Sequence, residues 1–278
     1  MLVSRFAIAA MIALPITLAP ITAMAVPITF SASGNNQAAI QTSVDAFRTA
    51  LGALNPNVAG SFGSGRRQID WDGVPDARSA PNPLPANFFN SNSPRGAVFS
   101  TPGTGFQVSA NVASGTPVEF GNLDASYPAQ FQTFSAQRLF TALGSNVLDV
   151  NFFVPGTAAA ATTRGFGSVF TDVEISNVTS LSFFDGNNAL LDTFFVPEGP
   201  DGGLSFLGVD YGSAVVARVR VTSGNDVLGS PESGNDLVVM DDFIYAEPLP
   251  LPEPGTMALL VMGTLGLGLV TSRRRRTG

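Results

Sequence analysis

Apolar residues recur along the chain with two distinct periods. Ile40, Val44, Phe47, Leu51 and Leu54 fall at spacings of four, three, four and three. This is a single apolar stripe, and it predicts one α-helix over about residues 36–54, packed on a sheet edge or a barrel mouth. Asn35 or Asn36 can cap its start, and Asn55-Pro56 ends it. A short strand at 26–33 precedes it. From Gly60 onward the helical period disappears, and Gly, Pro, Ser and Asn punctuate short apolar runs. Residues 98–100, 105–110, 147–154 and 168–175 read as strands, and 131–143 as a loop with a turn of helix. Ser180–Phe183 alternates, Asp185-Gly186-Asn187-Asn188 turns, and Leu190–Val196 returns, which predicts a hairpin. Residues 204–209 form a further strand. Val219 and Val221 then alternate with Arg218 and Arg220, giving an apolar inner face and a charged outer one. Leu237–Tyr245 closes the series. Many short strands with turns at intervals of roughly 8–12 residues predict a β-sandwich.

The two ends follow neither pattern. Arg5 precedes an apolar run from Phe6 to Leu18, and Ala23-Met24-Ala25 is a small-x-small cleavage site before Val26. Residues 1–25 therefore read as a secretory signal peptide. At the other end, Met257–Val270 carries no charge, and Gly255–Ser272 is 18 residues long. A spanning helix needs about 17 or more, so 255–272 is expected to cross a bilayer as a transmembrane helix. Arg273, Arg274, Arg275 and Arg276 then hold the terminus on the cytoplasmic side, which leaves the body outside. Pro252-Glu253-Pro254 disfavours helix and keeps the chain extended just before the apolar run, within reach of a peptidase. Residues 248–252 form a stiff, proline-rich spacer between body and membrane.

Pro252, Glu253, Pro254 and Gly255, followed by an apolar helix and Arg273–Arg276, resemble the PEP-CTERM sorting signal of bacterial surface proteins. The resemblance covers about the last 28 residues. It implies recognition and cutting by a membrane-embedded exosortase, a transient inner-membrane anchor, and release to the cell surface or the extracellular polymer matrix. It implies nothing about the body, residues 26–247.

Composition narrows what that body can do. The chain has no His and no Cys, and all 14 of its basic residues are Arg. Without Cys there are no disulfides, thiol nucleophiles or thiolate metal sites. Without His the usual general base is missing, and a Ser-His-Asp triad cannot form. Setting aside Arg5 and the four tail arginines leaves nine Arg against 21 acids, a charge of about −12. Such a surface repels phosphate backbones, so nucleic acid is not an expected partner. An exported acidic chain can instead recruit Ca²⁺, which takes carboxylate and carbonyl oxygens.

Three stretches are candidates for chemistry. In Asp70-Trp71-Asp72-Gly73, two carboxylates at i and i+2 before a Gly can converge on one cation, although the rest of an EF-hand loop is missing. The alternative is an Asx-rich turn. Trp71, the only Trp, fits either the core or the face of a sugar. In Met240-Asp241-Asp242-Phe243, adjacent strand positions point to opposite faces, so one Asp falls on an apolar face unless a bulge or an edge relieves it. Arg218 or Arg220 is an expected partner for it, as is Ca²⁺. A terminal-strand Asp of this kind resembles those of the lectin-like, galactose-binding jelly rolls. That resemblance implies a structural Ca²⁺ tying Asp242 to an early segment carrying Asp70 and Asp72. Ser223-Gly224-Asn225-Asp226 recurs as Ser233-Gly234-Asn235-Asp236, and both copies read as one flexible, soluble loop. Arg66 and Arg67, in a glycine-rich stretch without the Walker Lys, are expected to pair internally.

The expectation is a mainly β chain: a jelly-roll-like β-sandwich with one N-terminal helix, plus a signal peptide and a C-terminal transmembrane helix. Its expected role is that of a non-enzymatic surface or matrix protein associated with extracellular polysaccharide. The alternatives are a carbohydrate-active enzyme working through two carboxylates and a purely structural matrix component.

Overall fold

The short alternating runs assemble into antiparallel sheets. The computed structural model describes residues 26–229 and 234–251. The expected signal peptide at 1–25, the Pro252–Gly255 motif, the apolar segment 255–272 expected to span a membrane and the Arg cluster lie outside the described residues. Among the described residues, no helix is long and apolar enough to cross a membrane.

In chain order the elements are β1 (Ile28–Gly34), α1 (Gln37–Leu51), β2 (Arg66–Ile69), α2 (Phe88–Ser91), β3 (Ala97–Ser100), β4 (Gly105–Val108), α3 (Tyr127–Gln130), β5 (Phe140–Leu143), β6 (Val147–Phe152), β7 (Ala161–Thr162), β8 (Gly165–Thr171), β9 (Ser180–Phe184), β10 (Leu190–Phe195), β11 (Leu204–Asp210), β12 (Arg218–Thr222), β13 (Val239–Ala246) and β14 (Leu249–Pro250). One sheet runs β1-β11-β8-β13-β5-β4, with β2 also on β13; the second runs β10-β9-β12-β6-β3. Phe106, Phe140, Phe166 and Phe243 of the first sheet share one core with Phe99, Val150, Phe183 and Val219 of the second. The two sheets thus face each other across a common apolar layer, the arrangement that alternating strands produce when each buries one face.

Helix α1 covers the other face of the first sheet. Asn36 caps it by accepting from the Ala39 amide at 3.3 Å. Its stripe, Ile40, Val44, Phe47 and Leu51, packs on Val169, Phe206 and Ile244. The helix therefore lies on a sheet face, not on an edge or at a barrel mouth. Strands β8, β11 and β13 are consequently buried on both sides and lose their alternation. The ring of Phe47 sits where a side chain at Gly208 would point: a Cβ there would fall 2.8 Å from it. The helix stops earlier than predicted, at Gly52, whose φ of 99° suits Gly, and Leu54 is exposed outside it. Strand β2 leads into the Asp70-Trp71-Asp72 turn and carries Arg66 and Arg67. It adds to β13 through Arg66–Ile69 and Phe243–Ala246.

Candidate functional site

The Asp241-Asp242 pair sits where β13 departs from regular pairing. Its register on β8 shifts between Met240 and Phe243, a bulge that turns both carboxylates into a polar pocket at the sheet. Both residues are fully buried. Asp242 Oδ2 accepts from Arg48 Nη2 at 2.9 Å and from Gln68 Nε2 at 2.7 Å, and its Oδ1 accepts from Ser135 Oγ at 2.7 Å. Asp241 Oδ2 accepts from the amides of Phe134 and Ser135 at 2.6 and 3.1 Å. Burial pushes both carboxyls up, Asp242 to about 6. Asp241 rises well above its ordinary range, through burial first and then the charge of Asp242. The cation facing Asp242 comes from α1, not from β12. Arg218 and Arg220, the expected partners, both bind Asp149 instead.

The expected cation site does not assemble. Asp72 Oδ1 accepts from the amides of Gln137 and Arg138, so it caps that segment. Burial raises its carboxyl, and those two amides pull it back. Asp70 lines a separate cavity of about 250 Å³ with Arg95. Asp70, Asp72 and Asp242 are not among the described acids that bring three ligand oxygens within 4.8 Å of one another. Trp71 is 1% exposed, stacked on Phe140 at 4.1 Å and 9°, with its indole N–H donated to the Asp241 carbonyl at 2.8 Å. It is a core residue with no ring face open to a sugar.

The carboxylates that do converge lie elsewhere. Among the described residues, Asp172, Glu174 and Asp201 bring one oxygen each within 4.8 Å of one another. Asp172 follows β8 with a φ of 70°; its Oδ1 accepts from the Gly202 amide at 2.8 Å and its Oδ2 from Gln130 Nε2 at 2.6 Å. Asp236 lies against the same segment, accepting from the Glu174 amide at 3.0 Å. The repeated tetrapeptide explains its placement. The two copies bind each other: the Asn225 amide donates to the Asp236 carbonyl at 3.0 Å, and the Asp236 amide donates to Asn225 Oδ1 at 2.8 Å. Asn235 Nδ2 also donates to Asp226 Oδ2 at 2.7 Å. Only Gly fits at 224, where a Cβ would meet the Asp236 carbonyl oxygen at 1.9 Å. The stretch expected to be a loose loop is thus cross-braced by its own repeat.

The outer face of the second sheet carries a polar grid. The register places Ser100, Asp149, Arg220, Ser182 and Thr193 in one row across all five strands. Val98, Asn151, Arg218 and Phe184 form the row beside it. Arg220 holds Asp149 through two bonds of 2.9 and 3.0 Å, and Arg218 stacks on the Phe184 ring at 3.7 Å. A groove of about 430 Å³ at the end of α1 also holds charged residues, but Glu247 there is paired with Arg67, and Arg164 lies 3.5 Å from Asp210.

Compared with protein-family models, curated proteins and solved structures, the chain has no match in any of the three.

Proposed function

We propose that the chain is an exported, non-enzymatic cell-surface or extracellular-matrix protein that associates with polysaccharide through the outer face of its second sheet. The observation that carries this reading is the polar grid of that face. Asn151 and Ser182 offer hydrogen-bond partners for sugar hydroxyls, and Arg218 and Arg220, which hold Asp149 from one side, offer planar forks. The grid runs across five strands, whereas α1 packs on Val169, Phe206 and Ile244 of the first sheet. An open array of this kind suits a polymer chain better than a small enclosed ligand.

The reading of the fold as a jelly roll is supported by strand order. Strands β5-β13-β8-β11 on one sheet and β6-β12-β9-β10 on the other follow the sequence that two Greek keys generate. Export is supported by the two termini as sequences: a signal peptide at 1–25 and, at 252–276, a tail resembling the PEP-CTERM signal. An exosortase-type peptidase at the inner membrane is then the processing partner, and the final location is the cell surface or matrix.

Co-sedimentation of the purified chain with exopolysaccharide tests the reading. The wild type is retained, and Arg220→Ser lowers retention about tenfold, the loss of one charge-assisted bond of about 1.5 kcal/mol. Arg220 is 45% exposed, so the fold tolerates the change. No retention on any polysaccharide refutes the proposal, and release of reducing sugar during incubation assigns the chain to the carbohydrate-active enzymes instead.

A further inference from the structure

We infer that the end of the sandwich where β13 finishes docks on a lipid bilayer, an inference that rests on the reading of 255–272 as a membrane span. Register fixes what that end contains. Ile28 of β1 pairs with Asp210 of β11, which pairs with Gly165 of β8; Tyr245 of β13 lies opposite Phe166, and Ala246 opposite Arg66. Helix α1 finishes there too: a Cβ at Gly165 would fall 3.2 Å from the Leu51 side chain.

Among the described residues, six of the eight large apolar side chains that are exposed belong to this end: Val26, Ile28, Leu54, Val58, Phe62 and Leu190. Leu54 bridges to Arg66, the Val58 carbonyl accepts from Arg67 Nη1 at 3.4 Å, and the Phe62 amide donates to Glu247 Oε1 at 3.3 Å. Leu190 pairs with Phe184 beside a turn that meets Leu251: a Cβ at Gly186 would fall 3.2 Å from that side chain. Apolar residues scattered singly over a surface need no explanation, but a gathering at one end does. The acids at this end do not oppose an apolar surface. Asp210 and Glu247 are buried and held by Arg164 and Arg67, and Asp185 is turned back on the amides of Asn187 and Ala189. The converging acids Asp172, Glu174 and Asp201 lie at the opposite end, past Thr171 of β8.

The point where the chain leaves the body decides what covers this end. Residues 248–251 do not stand free as a spacer but are strapped to the body. The Pro248 carbonyl accepts from Ser61 Oγ, Leu249 and Pro250 pair with Thr162 and Ala161, and the Leu251 amide donates to the Ala160 carbonyl at 3.2 Å. Only 252–254 then separate Leu251 from the apolar segment that begins at Gly255. Four steps of the chain reach at most roughly 14 Å. The interfacial layer outside the hydrocarbon is itself about 5–8 Å thick. The apolar end is thereby held at the headgroups, where its side chains are stabilised by entering the boundary with the acyl chains. Docking also sets Pro252-Glu253-Pro254 at the lipid surface, within reach of a membrane-embedded peptidase.

The full chain has no Cys of its own, so single labelled positions provide the test. A nitrobenzoxadiazole label is placed at Ser213→Cys, in the groove at this end, or at Asp201→Cys at the opposite end, and the chain is reconstituted in phosphatidylcholine vesicles. Retention after alkaline carbonate washing reports the span by itself. The label at 213 is expected to be quenched by lipids carrying an acyl-chain nitroxide and to be shielded from iodide about threefold more than the label at 201. Leu54→Ser, Val58→Ser and Phe62→Ser together, all at exposed positions, lower the lipid quenching at 213 by about threefold or more and leave retention unchanged. A chain washed out by carbonate overturns span and docking together. A retained chain whose labels at 213 and 201 escape lipid quenching equally overturns docking alone, as does full lipid quenching in the triple variant. Shielding at 213 without lipid quenching assigns this end to a second copy or to the chain's own tail, and overturns lipid docking as well.

Discussion

Replacing Arg67 by Met should destabilise the chain more than any surface substitution, and the reason can be counted in bonds. Arg67 and Glu247 have side chains 0% and 1% exposed. The guanidinium grips the carboxylate with two bonds, Nε to Oε2 at 2.6 Å and Nη2 to Oε1 at 2.8 Å. Its remaining N–H groups go to the carbonyls of Pro56, Gly60 and Pro94 at 2.5, 3.1 and 3.2 Å. One side chain therefore holds the 56–60 loop, the 94 turn and the end of β13 together. Met fills much of the same space but leaves Glu247 facing only Asn55 Nδ2 and the Phe62 amide. Breaking a buried pair from one side costs about 3–5 kcal/mol, because the partner charge is left uncompensated. For a domain of this size, that is a Tm loss of roughly 6–20 °C. The assay is thermal and urea unfolding of the purified chain, alone and in a double-mutant cycle with Glu247→Leu. The double variant removes the orphaned charge, so the cycle should show a coupling of at least about 1 kcal/mol. An Arg67→Met chain within about 1 kcal/mol of wild type, or a strictly additive cycle, refutes the reasoning.

Three further outcomes follow from the same geometry. Gly208→Ala drives a Cβ to 2.8 Å from the Phe47 ring and should cost about 1–3 kcal/mol in urea unfolding, with partial rescue by Phe47→Leu. Asp242 is raised from its ordinary 3.8 to about 6, first by burial, so the folded chain binds that proton more readily than the unfolded one. The resulting stabilisation is complete below about 3.8 and is lost as pH rises through about 6; urea midpoints in EDTA should increase as pH falls from 7 to 5, and Asp242→Asn should flatten that slope. Trp71, stacked and buried, should fluoresce in the blue, resist iodide quenching and keep its spectrum when polysaccharide is added; a spectrum that shifts with the polymer would contradict its place in the core.

Local signals were legible, and convergent ones were not. The stripe from Ile40 to Leu51 predicted α1 because its burial repeats along one helix face. The 180–196 hairpin and the inward Val219 and Val221 were equally plain, because alternation is a local property. The bulge at Asp241-Asp242 was foreseen as one way to relieve a buried carboxylate. Its partner Arg48 was not, since nothing local links residue 48 to residue 242. The candidate cation site failed for the same reason. Asp70 and Asp72 carry the i, i+2 spacing that two ligands need, and so do Asp172 and Glu174 after β8. Spacing alone does not separate the pairs; what does is the return of Asp201 from a loop far along the chain. The two tetrapeptides read as one flexible loop because Gly, Asn and Asp favour turns. Only the fold sets the two copies side by side, where those same side chains bond each other.

Intact-mass measurement of the protein recovered from the surface or matrix of producing cells tests the central claim most directly. Export and sorting predict a chain that begins near Val26 and ends close to Pro252–Gly255, without Arg273–Arg276. A surface-recovered chain whose mass still includes the four terminal arginines would contradict the account.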